Sequence, residues 1–318
     1  MTRRRWIIQV IRCVILALVA WGIWRAVVRA RSEFVEHDFP LREIRLSWLV
    51  VAGCLYFVGM LPMYWFWLRT LHALGQYPGK LACLRAFYIG HLGKYVPGKA
   101  MVVVLRTSLL AQAGIDPVVA SISVFIETLT MMAVGAFVAA SLITVQFGDQ
   151  IPMQVLAIIL MLATGVPLMP PLFRRIVRTL KLSRLSSHLN LDGLTYRLMA
   201  SGFLANSIGW IVLGLSLWAT LRAMPTADTV AVTMEDIPRL VASTSLAMVA
   251  GFLSLLPGGV GVRELVLNTL LAPQVGESTA IVSAVLLRLV WLATELIAAG
   301  LLFILAGSRG RQDPSPNG

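Results

Sequence analysis

Six apolar runs, residues 7–28, 46–68, 117–145, 153–172, 199–222 and 278–306, are each long enough, wound as a helix, to cross a bilayer; crossing takes roughly 20 apolar residues. A helix satisfies its own backbone hydrogen bonds in hydrocarbon, so runs of this length predict an all-α polytopic helix bundle. Two further apolar regions, 84–113 and 240–273, are interrupted, the first at Pro97-Gly98 and the second at Pro257-Gly258-Gly259. What remains is loop plus a polar tail, Gly307–Gly318, so the sequence reads as one transmembrane domain over 1–306 with no separate catalytic domain. Charged residues make up 13% of the chain, about half the usual share of a soluble domain.

The net charge of +12 lies in short loops between spans. It therefore reads as the positive-inside bias and contact with anionic headgroups, and no nucleic-acid partner is expected. Cys13, Cys54 and Cys83 and the scattered histidines His37, His72, His91 and His188 have no ligand spacing, so neither metal nor cofactor is predicted. Loop charges orient the chain. Arg3, Arg4 and Arg5 precede the first run, and Arg174, Arg175, Arg178, Lys181, Arg184 and Arg197 crowd the 173–197 loop. These ends are expected to be cytoplasmic, as is the tail with Arg309 and Arg311, which places both termini on the inner side of the cell membrane. The loops around Asp149 and around Asp228, Glu235 and Asp236 are expected outside.

With those loops fixed, region 84–113 must start and end inside and region 240–273 must start and end outside. Each is then read as a re-entrant hairpin whose arms of about 13–15 residues reach only about 20 Å, past the midplane without spanning, with a double crossing by thin, tilted helices as the alternative. The halves match. Residues 46–145 hold helix, hairpin and helix, and 199–306 repeat the pattern; Pro97 precedes Ala120 by 23 residues, as Pro257 precedes Ala280 by 23. Matching hairpins that enter from opposite faces make an inverted repeat, the plan of many transporters.

Ionisable groups inside spans cost about 2.5–3.5 kcal/mol each on insertion scales, so they pair or line a cavity. Glu127 and Arg288 each fall about ten residues into a run, at nearly corresponding places of the two halves, and are predicted to pair across the repeat axis. Glu295 lies seven residues beyond Arg288 on the same face. These three form a candidate gate. Lys94 and Lys99 flank the first break, with Arg106 beyond it; Arg263 and Glu264 follow the second. A helix beginning inside the membrane presents free N–H groups, so these cations read as an anion site suited to phosphate. The candidate substrate-binding set is Lys94, Pro97, Gly98, Lys99, Arg106, Pro257, Gly258, Gly259, Arg263 and Glu264. Trp65, Trp67, Trp210, Trp218 and Trp291 read as interface or packing residues.

At Gly93-Lys94-Tyr95-Val96-Pro97-Gly98-Lys99, Arg106 and Glu127, and again at Pro257-Gly258-Gly259-Val260-Gly261-Val262-Arg263-Glu264, the chain resembles the lysylphosphatidylglycerol synthase transmembrane region, also described as the flippase-like or YbhN-type (UPF0104) membrane proteins. The resemblance covers roughly 10–306. It implies a lipid-handling domain with a phosphate-bearing headgroup as ligand and movement of that lipid between leaflets as activity. The soluble domain that aminoacylates lipid in two-domain members has no counterpart here, so lipid aminoacylation is not implied and no enzyme activity is expected. Two rival readings stay open: a membrane-embedded transferase using the outer acids Asp228, Glu235 and Asp236, and a non-transporting partner of a lipid-modifying enzyme. A second copy of the chain or such an enzyme is the expected protein partner.

Overall fold

The computed structural model describes residues 43–96, 100–146, 169–179, 191–225, 232–254 and 261–309, with isolated positions between 17 and 35, between 155 and 166, and at 189, 256 and 259. The runs 7–28 and 153–172 lie largely outside the described residues, as do Pro97, Gly98, Lys99, Pro257 and Gly258. Regular structure among the described residues is helical: α1 Leu46–Ala73, α2 Lys80–His91 continuing into a 3-10 turn Leu92–Tyr95, α3 Ala100–Ala111, α4 Pro117–Gln146, α5 Pro170–Thr179, α6 Tyr196–Arg222, a 3-10 turn Met234–Asp236 leading into α7 Ile237–Leu253, α8 Val262–Val275 and α9 Glu277–Arg309.

α1 and α6, the first helices of the two halves, lie against each other along their whole lengths. The Arg45 N–H donates to the Ala223 carbonyl at 2.9 Å, and Ser216 Oγ donates to the Ala52 carbonyl at 2.8 Å. Further along, Gly59 meets Gly209 and then Gly202 meets the Phe66 ring. One number rises as the other falls, so the two helices are antiparallel. That is the relation an inverted repeat requires. At the crossing a Cβ on Gly209 would stand 2.9 Å from the Gly59 carbonyl oxygen and 2.8 Å from Met63 Cε; small residues bring the backbones together where lipid provides no hydrophobic drive.

Both interrupted regions fold as helical hairpins. In the first, Gly93 packs on the Val102 backbone and Gly90 on Arg106, so α2 and α3 return alongside each other. In the second, Gly251 packs on Arg263 near the tip, while Arg239 Nη1 donates to Gln274 Oε1 at 3.1 Å and Gln274 Nε2 donates to Asp236 Oδ1 at 2.5 Å near the base. Each twelve-residue arm of the first hairpin extends about 18 Å, too short to span.

The second hairpin departs from the expectation. Its first arm, Met234–Leu253, is 20 residues and is one of five helices among the described residues long and apolar enough to cross a membrane. The added length comes from its start: Asp236 caps the Thr233 N–H at 2.8 Å, and Pro238 in the first turn needs no donor partner. Helix therefore begins well before residue 240.

The remaining packing places the third helix of each half against the hairpin and first helix of the other. α4 contacts α7 and α6; α9 contacts α2 and α1. Trp210 Nε1 donates to the Met131 carbonyl at 3.0 Å, and Trp291 Nε1 donates to Ser216 Oγ at 3.0 Å. Trp67, Trp210 and Trp291 are buried and so serve packing, while Trp65 is exposed. Outward faces carry Leu204, Ile208, Ile211, Ile297, Leu301 and Ile304, the apolar surface of a bundle bathed in lipid.

Candidate functional site

The tips of both hairpins come together against the middles of α4 and α9. There they enclose two adjoining cavities, one of about 230 Å³ and one of about 30 Å³, and Lys94 and Arg263 line both. The larger is walled mainly by apolar side chains such as Val103, Val124, Met132 and Phe252, with Arg106, Glu127 and Gly259 also on its wall. The smaller adds Tyr95, Glu264, Arg288 and Trp291. Of the predicted residues that are described, all but Glu295 face one cavity or the other, and Glu295 stands behind Lys94.

The predicted pair of Glu127 with Arg288 does not form; each finds its partner inside its own half. Arg106 Nη1 donates to Glu127 Oε2 at 2.7 Å, and the two side chains are 1% and 2% exposed. Nη2 reaches His91 Nδ1 at 3.1 Å; a guanidinium can only donate, so that nitrogen accepts. The Arg106 guanidinium also lies 4.7 Å from the Trp67 ring centre and 4.4 Å from that of Phe87, the close cation–π arrangement arginine favours. Short hairpin geometry explains the change of partner: the turn of the chain between α3 and α4 brings Arg106 beside Glu127 before any residue of α9 can reach it.

On the other side Arg288 Nη1 donates to Glu264 Oε1 at 3.0 Å. Glu264 Oε2 accepts the Gly261 N–H at 2.7 Å. The predicted anion site at the start of α8 is therefore already filled by the chain's own carboxylate, which reaches back from the third helical residue to the N-cap N–H. Gly261, with φ +86°, makes that cap; an L-residue would resist the conformation.

The ion pair that joins the halves, among the described residues, is Lys94 with Glu295. Glu295 is fully buried and receives both the Lys94 ammonium and the Tyr56 hydroxyl on its Oε1. Tyr56 stacks on Trp291 with ring centres 4.6 Å apart. Sequence reasoning missed Tyr56, Tyr95 and His91. An apolar run gives no periodic signal for one tyrosine, and His91 and Tyr95 lie beside the first break without a charge to mark them.

Three ion pairs thus neutralise Lys94, Arg106 and Arg288. Arg263 is the cation at this junction without a carboxylate partner in an ion pair among the described residues. Its Nε is buried and makes no hydrogen bond, and the side chain is wedged between Gly251 and Gly259, where a Cβ would stand 2.6 Å from Cγ and 2.7 Å from Nε respectively. Its isolation follows from the repeat. Arg106 and Arg263 occupy matching niches, each against a glycine of the first hairpin arm. α4 answers Arg106 with Glu127, but α9 holds Arg288 at the nearly equivalent place, and Arg288 takes the acid next to Arg263. Among the described residues, four cations and three carboxylates leave one positive charge in a cleft that is mostly apolar, where an unpaired charge is expensive and an entering anion is welcomed.

No curated protein sequence matches this chain. The family model described as the lysylphosphatidylglycerol synthase TM region matches residues 9–299, nearly the whole span from the first apolar run to the last, and the chain belongs to that family.

Proposed function

We propose that this multi-pass membrane protein moves a phosphate-bearing lipid between leaflets, the phosphate resting on Arg263 and Lys94 and part of the lipid tail lying along the apolar wall of the larger cavity. The observation that carries the reading is Arg263: a partly buried cation whose Nε is buried and unbonded, without an ion-pair partner among the described residues, at the meeting point of two hairpin tips, beside a cavity of about 230 Å³. The inverted arrangement supports movement as well as binding, since rocking one half against the other exposes a shared central site to each side in turn. The antiparallel α1–α6 contact is the natural surface for that motion.

The test is leaflet exposure of a fluorescent phospholipid in proteoliposomes. Wild type is expected to bring inner-leaflet lipid within reach of an external quencher, and Arg263→Gln to slow this at least about tenfold, the loss of one charge-assisted contact. Unchanged lipid movement in Arg263→Gln would remove Arg263 from the path. Wild-type vesicles that behave as protein-free ones would remove the transport reading.

A further inference from the structure

We infer that headgroup binding at this site is coupled to a proton, and that Glu295 carries it; the inference rests on the headgroup reading above and deepens it.

The three ion pairs differ in whether they can switch. Arg106–Glu127 is locked: the guanidinium is held by His91 and lies against the rings of Trp67 and Phe87. In Arg288–Glu264 both carboxylate oxygens are engaged, one of them as the α8 cap. Lys94–Glu295 is different in three respects. The cation is a lysine, a point charge on a flexible stem that re-aims without losing a fixed fork. It lines both cavities beside Arg263. The acid behind it has one oxygen, Oε2, that is buried and makes no hydrogen bond.

An anion that seats on Arg263 competes with Glu295 for Lys94. If the phosphate wins the ammonium, Glu295 is left fully buried with only neutral phenols, Tyr56 and Tyr95, as neighbours. A carboxylate deprived of its cation in such surroundings takes a proton. The groups around it give no replacement charge. Tyr56 of α1, Tyr88 of α2 and Tyr95 of the first 3-10 turn are phenols, Arg288 on α9 is held by Glu264, and Arg263 of α8 faces the incoming phosphate. The balance is simple. Before binding, Lys94, Arg263 and Glu295 sum to one positive charge; afterwards the phosphate takes the place of the carboxylate, and one proton from solvent has become the O–H of Glu295. Release reverses both steps. A lipid that crosses in this form carries one proton with it.

The experiment uses the purified full-length chain in weakly buffered detergent with dihexanoyl phosphatidylglycerol as probe, a phosphodiester lipid whose own charge is constant near neutrality. Binding is measured calorimetrically and proton uptake with a pH indicator, between about pH 6 and 8. Wild type is expected to take up close to one proton per lipid bound, and its affinity to fall up to about tenfold per unit rise in pH where uptake is seen. Glu295→Gln, already neutral, is expected to bind without uptake. Lys94→Met, in which Glu295 lacks its cation from the start, is expected to bind more weakly and also without uptake. Wild type that binds with no uptake and no pH slope overturns the coupling while leaving the headgroup site standing. Uptake by either variant equal to wild type reassigns the proton and overturns Glu295. No binding by wild type overturns the headgroup reading and this inference with it.

Discussion

Arg106 and Glu127 form a 2.7 Å ion pair whose side chains are 1% and 2% exposed. Its partners are fixed by chain geometry on one side and by Trp67 and Phe87 on the other. Removing one member leaves the other charged and buried, which costs about 3–5 kcal/mol. Arg106→Met and Glu127→Met are each expected to lower the melting temperature in detergent sharply. The double variant Arg106→Met with Glu127→Met is expected to recover most of the loss, because no orphan charge remains. Melting curves of the four proteins, read as a double-mutant cycle, check this. Additive losses would mean the pair is not coupled.

Arg288 has an indirect role in keeping Arg263 available. It holds Glu264 at 3.0 Å, and Glu264 is the residue next to Arg263 in sequence. In Arg288→Gln the acid is free to answer Arg263, so the junction loses its net positive charge although neither Arg263 nor Lys94 is touched. Phospholipid affinity is expected to fall about ten- to a hundredfold, the range of a charged hydrogen bond. Restoring the balance with Glu264→Gln in the same protein is expected to recover part of the affinity. Equilibrium binding of a fluorescent phospholipid separates the cases.

Gly259 sets the position of Arg263. Its φ is +66°, and a Cβ there would meet Arg263 Nε at 2.7 Å and Gly251 Cα at 2.8 Å. Gly259→Ala is expected to displace the guanidinium and strain the tip, costing about 1–3 kcal/mol and weakening lipid binding with it. Gly276 also has a positive φ, +81°, but nothing lies within 4 Å of its added Cβ. Gly276→Ala is therefore the control: it also strains a positive-φ backbone, but away from Arg263, so binding is expected to be retained. Equal loss of binding in both would tie the effect to folding instead of to Arg263.

How far these relations were legible in the sequence depends on their range. Span-length apolar runs announce α1, α4, α6 and α9, because a helix in lipid must be continuous. The Pro-Gly breaks announce both hairpins for the same reason. The charges Lys94, Arg106, Glu127, Arg263, Glu264, Arg288 and Glu295 announce a shared site, since each costs too much to sit in lipid alone. Which charge meets which is another matter. Helical periodicity fixes a face, not a partner, and Glu127 had Arg106 within its own half and Arg288 in the other as equally basic candidates. The longer first arm of the second hairpin was hidden by its polar start, where Asp236 caps Thr233 and the hydropathy of the run had not yet risen.

The opposed hairpins have a consequence that labelling can read. The base of the first hairpin lies beside Gln76, whose Oε1 accepts the Asp116 N–H at 3.1 Å and so ties the loop before α2 to the loop after α3. The base of the second is the cluster of Asp236, Arg239 and Gln274. α1 and α6 run antiparallel, with Arg45 at the end that meets Ala223 and Ala73 at the end that meets Gly193. Gln76 follows one end of that pair, and the α7 cap follows the other. In a protein with Cys13, Cys54 and Cys83 replaced, Tyr77→Cys and Glu235→Cys are therefore expected to react with a membrane-impermeant maleimide from opposite sides. From the loop charges, residue 235 is expected outside. The mass shift in intact cells against inverted vesicles reads each side, and labelling of both positions from one side would contradict the inverted arrangement on which a central, alternately exposed Arg263 depends.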